Sequence, residues 1–92
     1  MAYHVELTAD ALDDIEDHRR AGRKKVLNKL YTLLAELEVH PRSGTGRPEQ
    51  LRYDFAGAYS RRITRQHRLI YEIHDDVVTV LVIAALGNYD DR

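Results

Sequence analysis

The apolar residues of this chain change their spacing once, at residues 41–48, and the change separates a helical part from a sheet. Upstream, apolar side chains recur at helical intervals for about four turns, at Val26, Leu27, Leu30, Leu33, Leu34 and Leu37. Downstream, Leu69, Tyr71 and Ile73 alternate with their neighbours, as strand residues do. Residues 41–48 contain both prolines and two of the five glycines, so the chain is predicted to turn there.

The part before the turn is predicted to hold one strand and two helices. Residues 3–7 alternate like a half-buried strand, and Thr8 is suited to cap a helix. The narrow apolar stripe of this first helix is formed by Ala9, Leu12 and Ile15. Gly22 ends it, so the second helix is expected to return beside it as an antiparallel hairpin.

The part after the turn is predicted to form the sheet. A short strand can form at residues 50–52, followed by strands at 59–64 and 67–73 and by a central strand at 77–85, buried on both faces. The predicted order is β-α-α-β-β-β. This is an α+β fold with the helical hairpin packed on a mainly antiparallel four-stranded sheet. A chain of 92 residues has room for one core, so we predict a single domain over residues 1–92.

Composition excludes several classes of site. The chain has no cysteine, which excludes disulfides, thiolate metal sites and cysteine nucleophiles. Its five histidines are dispersed without metal-ligand spacing, so we expect neither a metal nor a cofactor. No run of 18 apolar residues and no signal peptide is visible, so we expect a cytoplasmic protein without membrane contact.

The charges are strongly partitioned, although the whole chain has a net charge of only −1. Residues 42–71 carry two acidic residues, Glu49 and Asp54, against seven arginines: Arg42, Arg47, Arg52, Arg61, Arg62, Arg65 and Arg68. Because the planar guanidinium group binds phosphate through paired hydrogen bonds, this block is a candidate anion site. The alternative is that these arginines are solvated charges that protect a sheet edge from aggregation.

Two of these arginines face each other in one strand register. A three-residue turn at residues 64–66 would place Arg62 opposite Arg68 on one sheet face, where two cations would favour a bridging anion. A two-residue or four-residue turn would instead pair Ile63 with Arg68. Tyr89 follows the last predicted strand and could bend back over the same face, or be only a packed or frayed terminal aromatic.

Two motifs in this region resemble a known family. They read Gly44-x-Gly46-x-Pro48-Glu49-x-Leu51 and Gly57-x-Tyr59-Ser60-Arg61-Arg62-Ile63-Thr64-x-x-His67-Arg68-Leu69-Ile70-Tyr71. They resemble the YoeB/Txe branch of the RelE/ParE toxins, most strongly over residues 44–73. The resemblance implies a bacterial toxin that enters the ribosomal A site and cuts mRNA. It also implies a cognate antitoxin that holds the toxin inactive in a hetero-oligomer.

The resemblance also implies roles for individual residues. Glu49 matches the catalytic glutamate, Arg68 the essential arginine, Arg62 a second basic residue and Tyr89 the C-terminal tyrosine. Cleavage through the RNA 2′-hydroxyl needs a base, cationic donors for the phosphorane and an acid for the leaving oxygen. The family usually has a histidine directly before the tyrosine, where this sequence has Asn88. The identity of the general acid therefore stays open.

The remaining basic residues are predicted to contact RNA. We assign this role to Arg47, Arg61 and Arg65 in the arginine block and to Lys24, Lys25 and Lys29 at the start of the second helix. The alternative for the lysines is solubility alone. A different function is also consistent with the fold: a non-enzymatic ParE-like toxin that inhibits a protein target such as DNA gyrase.

Overall fold

The N-terminal part forms the strand and the two helices that the sequence predicts. The computed structural model describes residues 2–52 and 56–87. Strand β1 spans His4–Leu7, helix α1 spans Ala9–Arg20 and helix α2 spans Lys24–Leu37. The Thr8 hydroxyl accepts a hydrogen bond from the Ala11 N–H at 3.1 Å, so it caps α1 as expected.

The sheet contains five strands, one more than predicted. Strands β2 (Glu49–Gln50), β3 (Ala58–Arg62), β4 (Arg68–His74) and β5 (Thr79–Ala84) follow the helices. Their order in the sheet is β1-β5-β4-β3-β2, with β1 parallel to β5 and the other neighbours antiparallel. The difference is the two-residue β2 at the edge, which pairs with β3: a short strand was expected at residues 50–52, but the predicted four-stranded count did not include it. The α+β class is confirmed, and the strand count is corrected.

The last strand is shorter than predicted, and its two faces are buried unequally. Residues Asp75–Val77 form a single 3-10 turn, so β5 begins at Thr79. Val80 and Val82 on one face are wholly buried, whereas Leu81 and Ile83 on the other are only partly buried. The expectation of burial on both faces was therefore wrong, because the helices cover only one face.

The helices define a covered face and an open face of the sheet. The main core joins the buried leucines of α2 to residues from β4 and β5: Leu30, Leu33, Leu37, Leu69, Tyr71, Val80 and Val82. A smaller cluster of Leu51, Ala58 and Ile70 lies apart from this core. Because side chains alternate along a strand, Ile70 and its neighbour Arg68 at i−2 share the face opposite Leu69 and Tyr71. Within the described ranges, no helix is long and apolar enough to span a membrane.

Candidate active site on the open face of the sheet

Two arginines stand side by side on the open face, where β3 and β4 form a hairpin. Arg62 pairs with Arg68 in the antiparallel register. The Ile63 N–H donates to the His67 carbonyl at 2.9 Å, which leaves residues 64–66 as the turn. The register that places the two arginines opposite each other is therefore confirmed. Two neighbouring guanidinium groups create a strong positive potential that favours a phosphate between them.

Glu49 joins this pair from the edge strand β2. Its Oε2 lies 3.5 Å from Nη1 of Arg68, and its side chain is 61% exposed. The same Nη1 donates to Oγ of Ser60 at 3.1 Å, and Ser60 is the cross-strand partner of Glu49. The Glu49 carboxylate is therefore open to a substrate, while the Arg68 guanidinium is fixed by its hydrogen bond to the buried Ser60.

Ser60 is a site residue to which sequence reasoning gave no role. It is wholly buried, so its hydroxyl needs a partner, and the Arg68 guanidinium provides one. A signal existed in the sequence, because Ser60 precedes Arg62 by two residues and must share its face. Ser60 limits the orientations that the Arg68 side chain can adopt.

The loop before β2 reaches Glu49 by crossing close to β3. The Gly46 carbonyl accepts a hydrogen bond from the Arg62 N–H at 2.6 Å. A Cβ at Gly46 would lie 2.8 Å from the Arg62 carbonyl oxygen, and the backbone there has a φ of +86°. Only glycine permits both the close approach and the positive φ. Gly46 therefore fixes the distance between the loop that leads to Glu49 and the arginine strand.

Arg61 does not belong to the open face. Its side chain is 0% exposed and lies on the covered face between the sheet and α2. Its guanidinium donates to a ring of acceptors: the Glu36 carboxylate, the Tyr71 hydroxyl and the carbonyls of His40, Ser43 and Thr45. The RNA contact predicted for Arg61 was wrong, because no RNA phosphate can reach a buried guanidinium.

The Arg61 guanidinium and the acceptors around it, which we call the Arg61 pocket, include two side chains with shifted pKa values. Hydrogen bonds from Thr45, with a further contribution from Arg61, lower the pKa of Glu36. Burial raises the pKa of Tyr71, and the Arg61 guanidinium opposes this rise. The Tyr71 hydroxyl donates to the Pro41 carbonyl at 2.8 Å. The pocket therefore ties the loop after α2 to the sheet.

The other basic residues lie in two places. Arg47 and Arg65 are exposed, Arg47 in the loop before β2 and Arg65 in the β3–β4 turn. Lys24 and Lys25 line an open cleft between the start of α2 and that turn, together with Arg23. Lys29 follows one turn later on α2 and is partly exposed. Lys24 and Lys25 therefore lie beside the β3–β4 turn, in a cleft that Glu49 and Arg68 do not line.

The C-terminal tyrosine lies outside the described residues, as does Asn88, so the structure places neither of them. Gly87 is the last residue described. Its carbonyl accepts a hydrogen bond from the Arg68 N–H at 2.8 Å. The described chain therefore ends beside the backbone of Arg68.

The open face combines a base and cationic donors, the groups that phosphodiester cleavage requires. The exposed Glu49 carboxylate can accept a proton, and the two arginines can stabilise charge that develops on a phosphate. Over residues 2–52 and 56–87, no group of three or more acidic or histidine side chains is placed to hold a metal ion. The described residues can supply acid–base catalysis and electrostatic stabilisation.

Comparisons with known proteins place this geometry in a family. Residues 7–85 match the family model described as the YoeB-like toxin of bacterial type II toxin-antitoxin systems. Toxin YoeB of Mycobacterium bovis is 41% identical over 77 residues, which cover 84% of this chain and 89% of that protein. The YoeB/ParE toxin from Agrobacterium tumefaciens superposes with a TM-score of 0.85 at 31% identity, covering 94% of this chain and 99% of that one.

A complex provides a further structural match. A chain of the heterotetrameric YoeB-YefM toxin-antitoxin complex from Staphylococcus aureus superposes with a TM-score of 0.79 at 27% identity. The match covers 97% of this chain and 100% of that one. The family match, the sequence identity and the shared fold agree, and the chain belongs to the YoeB-like toxins of bacterial type II toxin-antitoxin systems.

Proposed function

We propose that this toxin is a ribosome-dependent endonuclease that cleaves mRNA through the RNA 2′-hydroxyl. The observation that carries the proposal is the pairing of an exposed carboxylate, Glu49, with Arg68 at 3.5 Å, on the face where Arg68 stands opposite Arg62. A base next to two phosphate-binding cations is what transesterification of RNA requires. Because its targets are the ribosome and mRNA, the toxin acts in the cytoplasm.

The proposed reaction assigns one role to each side chain. Glu49 takes the proton from the 2′-hydroxyl, whose oxygen attacks the adjacent phosphorus. Arg62 and Arg68 stabilise the negative charge of the phosphorane. The bond to the 5′-oxygen breaks, leaving a 2′,3′-cyclic phosphate, and Tyr89 donates the proton that the 5′-oxygen takes up. The ribosome orients the 2′-hydroxyl for in-line attack.

Basic residues outside the site are proposed to dock the toxin on the ribosome. Lys24, Lys25 and Lys29 would contact ribosomal RNA, and Arg47 and Arg65 would contact RNA beside the site. Positive charge at the start of α2 opposes the helix dipole, so local helix stability does not explain these lysines. Reversing the charge of all three should weaken ribosome binding and flatten its dependence on salt. Unchanged ribosome affinity across a salt series would exclude the lysines from this contact.

A cognate antitoxin is the proposed partner in a hetero-oligomer. The Staphylococcus aureus neighbour is a toxin assembled with YefM, and we extend this kind of assembly to the present chain. We expect an acidic segment of the antitoxin to fold over the surface formed by Arg47, Arg62, Arg65 and Arg68. Its association rate should fall with ionic strength, because complementary charge speeds capture. A complex that leaves Arg62 and Arg68 as accessible as in the free toxin would contradict this arrangement.

The proposal is tested in a purified translation system programmed with a defined mRNA. The toxin should cut the message only when ribosomes are present, and the upstream product should carry a 2′,3′-cyclic phosphate. Glu49→Gln removes the base and should slow cleavage strongly. Arg20→Ala, an exposed arginine on α1, serves as the control and should cut at the wild-type rate.

One outcome of this test would favour the second candidate function over the nuclease. If the toxin leaves mRNA intact but inhibits supercoiling by purified DNA gyrase, it acts as a ParE-like inhibitor of a protein target. The presence of Asn88 before the terminal tyrosine, where the family usually has a histidine, is the observation that keeps this candidate in the test.

A further inference from the structure

The chain just after β5 is held by side chains from α1. The Ala85 N–H donates to Oδ2 of Asp14 at 2.9 Å, and Nε2 of His18 lies 2.8 Å from the Ala85 carbonyl oxygen. His18 is wholly buried, and the proposed mechanism does not use it. Two polar side chains therefore satisfy both backbone groups of one residue at the end of the sheet.

The next attachment is at Gly87 and comes from the β3–β4 hairpin. The Gly87 N–H donates to Nδ1 of His67 at 3.0 Å, while the Gly87 carbonyl accepts from the Arg68 N–H. Both backbone groups of Gly87 are therefore bonded to neighbouring residues of β4 and the turn before it. From Gly87 the chain continues through Asn88 to Tyr89, the proposed general acid.

These contacts define the protonation of both imidazole rings. A carbonyl oxygen only accepts, so Nε2 of His18 carries its proton. A guanidinium only donates, so Nδ1 of His18, which lies 3.3 Å from Nη1 of Arg23, presents its lone pair. Nδ1 of His67 must likewise present a lone pair to the Gly87 N–H. In this geometry the His67 ring is neutral.

The surroundings of His67 oppose its protonation. Its ring meets the His18 ring edge to face, with 4.6 Å between the centroids. Burial, followed by the influence of His18 and Arg23, lowers the pKa of His67. Lys24 and Lys25 line the same cleft and add positive charge, and Arg65 and Arg68 flank His67 in the chain. From the middle of α1, the Asp14 carboxylate accepts a hydrogen bond from the Ala85 N–H of the anchored segment.

We propose that His67 is a positioning residue: its neutral ring fixes the chain at Gly87, which accepts a hydrogen bond from the Arg68 N–H and precedes Tyr89 by two residues in the sequence. A proton on Nδ1 removes the acceptor for the Gly87 N–H, so the segment that leads to Tyr89 loses one of its attachments. The inference rests on the proposed function, because it gives His67 a role only if Tyr89 takes part in cleavage. His18 supports His67 through the ring contact and the bond to Ala85.

Two substitutions at His67 separate positioning from packing. His67→Ala removes the acceptor, whereas His67→Asn keeps an acceptor oxygen close to the place of Nδ1 and does not titrate. In the translation assay at pH 7.5, His67→Ala should cleave about 10- to 100-fold more slowly, because a small displacement of a catalytic group is costly. His67→Asn should recover most of this loss.

The pH profile gives a second readout. Wild-type cleavage should decline as the pH falls through the pKa of His67, which burial places below the usual histidine value of 6.5. His67→Asn should show a flatter profile over the same range. His74→Asn, at an exposed histidine at the far end of β4, is the control and should keep the wild-type profile. A wild-type profile in His67→Asn, or a wild-type rate in His67→Ala, would overturn the proposal.

Hydrogen exchange at the Gly87 amide tests the anchor without any cleavage. In the full-length toxin, the protection factor of this amide should drop in His67→Ala and return in His67→Asn. Equal protection in wild type and His67→Ala would refute the anchor. If protection follows the expectation but the wild-type toxin never cuts mRNA, the proposed nuclease function fails while the anchor at Gly87 stands.

Discussion

Arg61 and Arg62 are consecutive residues of one strand, yet they lie in opposite environments. Arg61 points into the covered face and is 0% exposed, and Arg62 points into the open face and is exposed. The cause is the alternation of side chains along a strand. Charge alone therefore does not identify a binding residue in this sheet, because the face decides whether an arginine meets substrate or the protein's own carbonyls.

The two arginines also differ in what their loss would leave behind. Around Arg61, the Glu36 carboxylate and the carbonyls of the loop after α2 would lose a buried donor. Around Arg62, water replaces the guanidinium group at little cost. Arg61 should therefore matter for stability and Arg62 for binding, although composition treats them alike.

The largest expected effect on stability comes from substituting Arg61, the buried arginine of the two. Arg61→Met keeps much of the side-chain volume but removes the charge, and loss of one partner of a buried ion pair costs about 3–5 kcal/mol. At about 4–8 °C per kcal/mol, the melting temperature should fall by at least ~12 °C. Arg62→Met, the matched control, should change stability by less than about 0.5 kcal/mol. Equal melting temperatures for the two variants would contradict this division.

A second prediction concerns a substitution that removes a binding group from the open face and leaves the covered face unchanged. Arg68→Ala removes a preorganised donor, so mRNA cleavage should slow by about 10²- to 10³-fold. Its stability should fall by about 1–3 kcal/mol, less than in Arg61→Met, because the wholly buried Ser60 hydroxyl loses its hydrogen-bond partner. Single-turnover cleavage and thermal unfolding on the same preparation check both numbers. A well-folded Arg68→Ala variant that cuts at the wild-type rate would remove Arg68 from the site.

The sequence allowed the open face to be predicted better than the covered one. The pairing of Arg62 with Arg68 depends on the length of one turn, which is local information. The burial of Arg61 was missed, although Arg61 alternates with the apolar Tyr59 and Ile63 and so had to share their face. The acceptors of Arg61 lie up to 25 residues away in sequence, so its pocket had no local signature.

The anchor at the end of β5 was beyond sequence reasoning for the same reason. His18 and Ala85 are 67 residues apart in the chain, and only the packing of α1 against β5 brings them together. His18 and His67 also appeared unrelated in the sequence, because their rings meet only in the folded chain. The two-residue strand β2 was close to its expected place, but two residues carry too weak a pattern to define a strand.

A third prediction sharpens the comparison at the loop that touches both arginines. A Cβ at Gly46 would lie 2.8 Å from the Arg62 carbonyl oxygen and 3.2 Å from the Arg61 Cβ. Gly46→Ala should cost about 1–3 kcal/mol through backbone strain, and the clash should displace the loop that leads to Glu49. Gly22→Ala is the matched control, since φ there is +70° but nothing lies within 4 Å.

The two glycine variants are distinguished by activity as well as by stability. Gly22→Ala should be destabilised by strain alone and should keep its cleavage rate per folded molecule. Gly46→Ala should lose both stability and rate. If the two variants behave alike in denaturant unfolding and in cleavage, the close approach of Gly46 to β3 has no part in positioning Glu49.

The smallest expected effect concerns the acid side of the Arg61 pocket. Hydrogen bonds from Thr45, then the charge of Arg61, lower the pKa of Glu36 from its usual value of 4.5. The unfolded chain therefore binds a proton at a higher pH than the folded one, and stability falls as the pH drops from about 4.5 through the folded pKa. Glu36→Gln cannot titrate and should lose less stability than wild type between pH 6 and pH 3.5 in urea unfolding. Arg61→Met should show an intermediate slope, because the Thr45 bonds remain in that variant.

An identical pH dependence in wild type and Glu36→Gln would show that Glu36 contributes nothing to acid sensitivity. The buried arginine would then act on stability through the loop carbonyls alone.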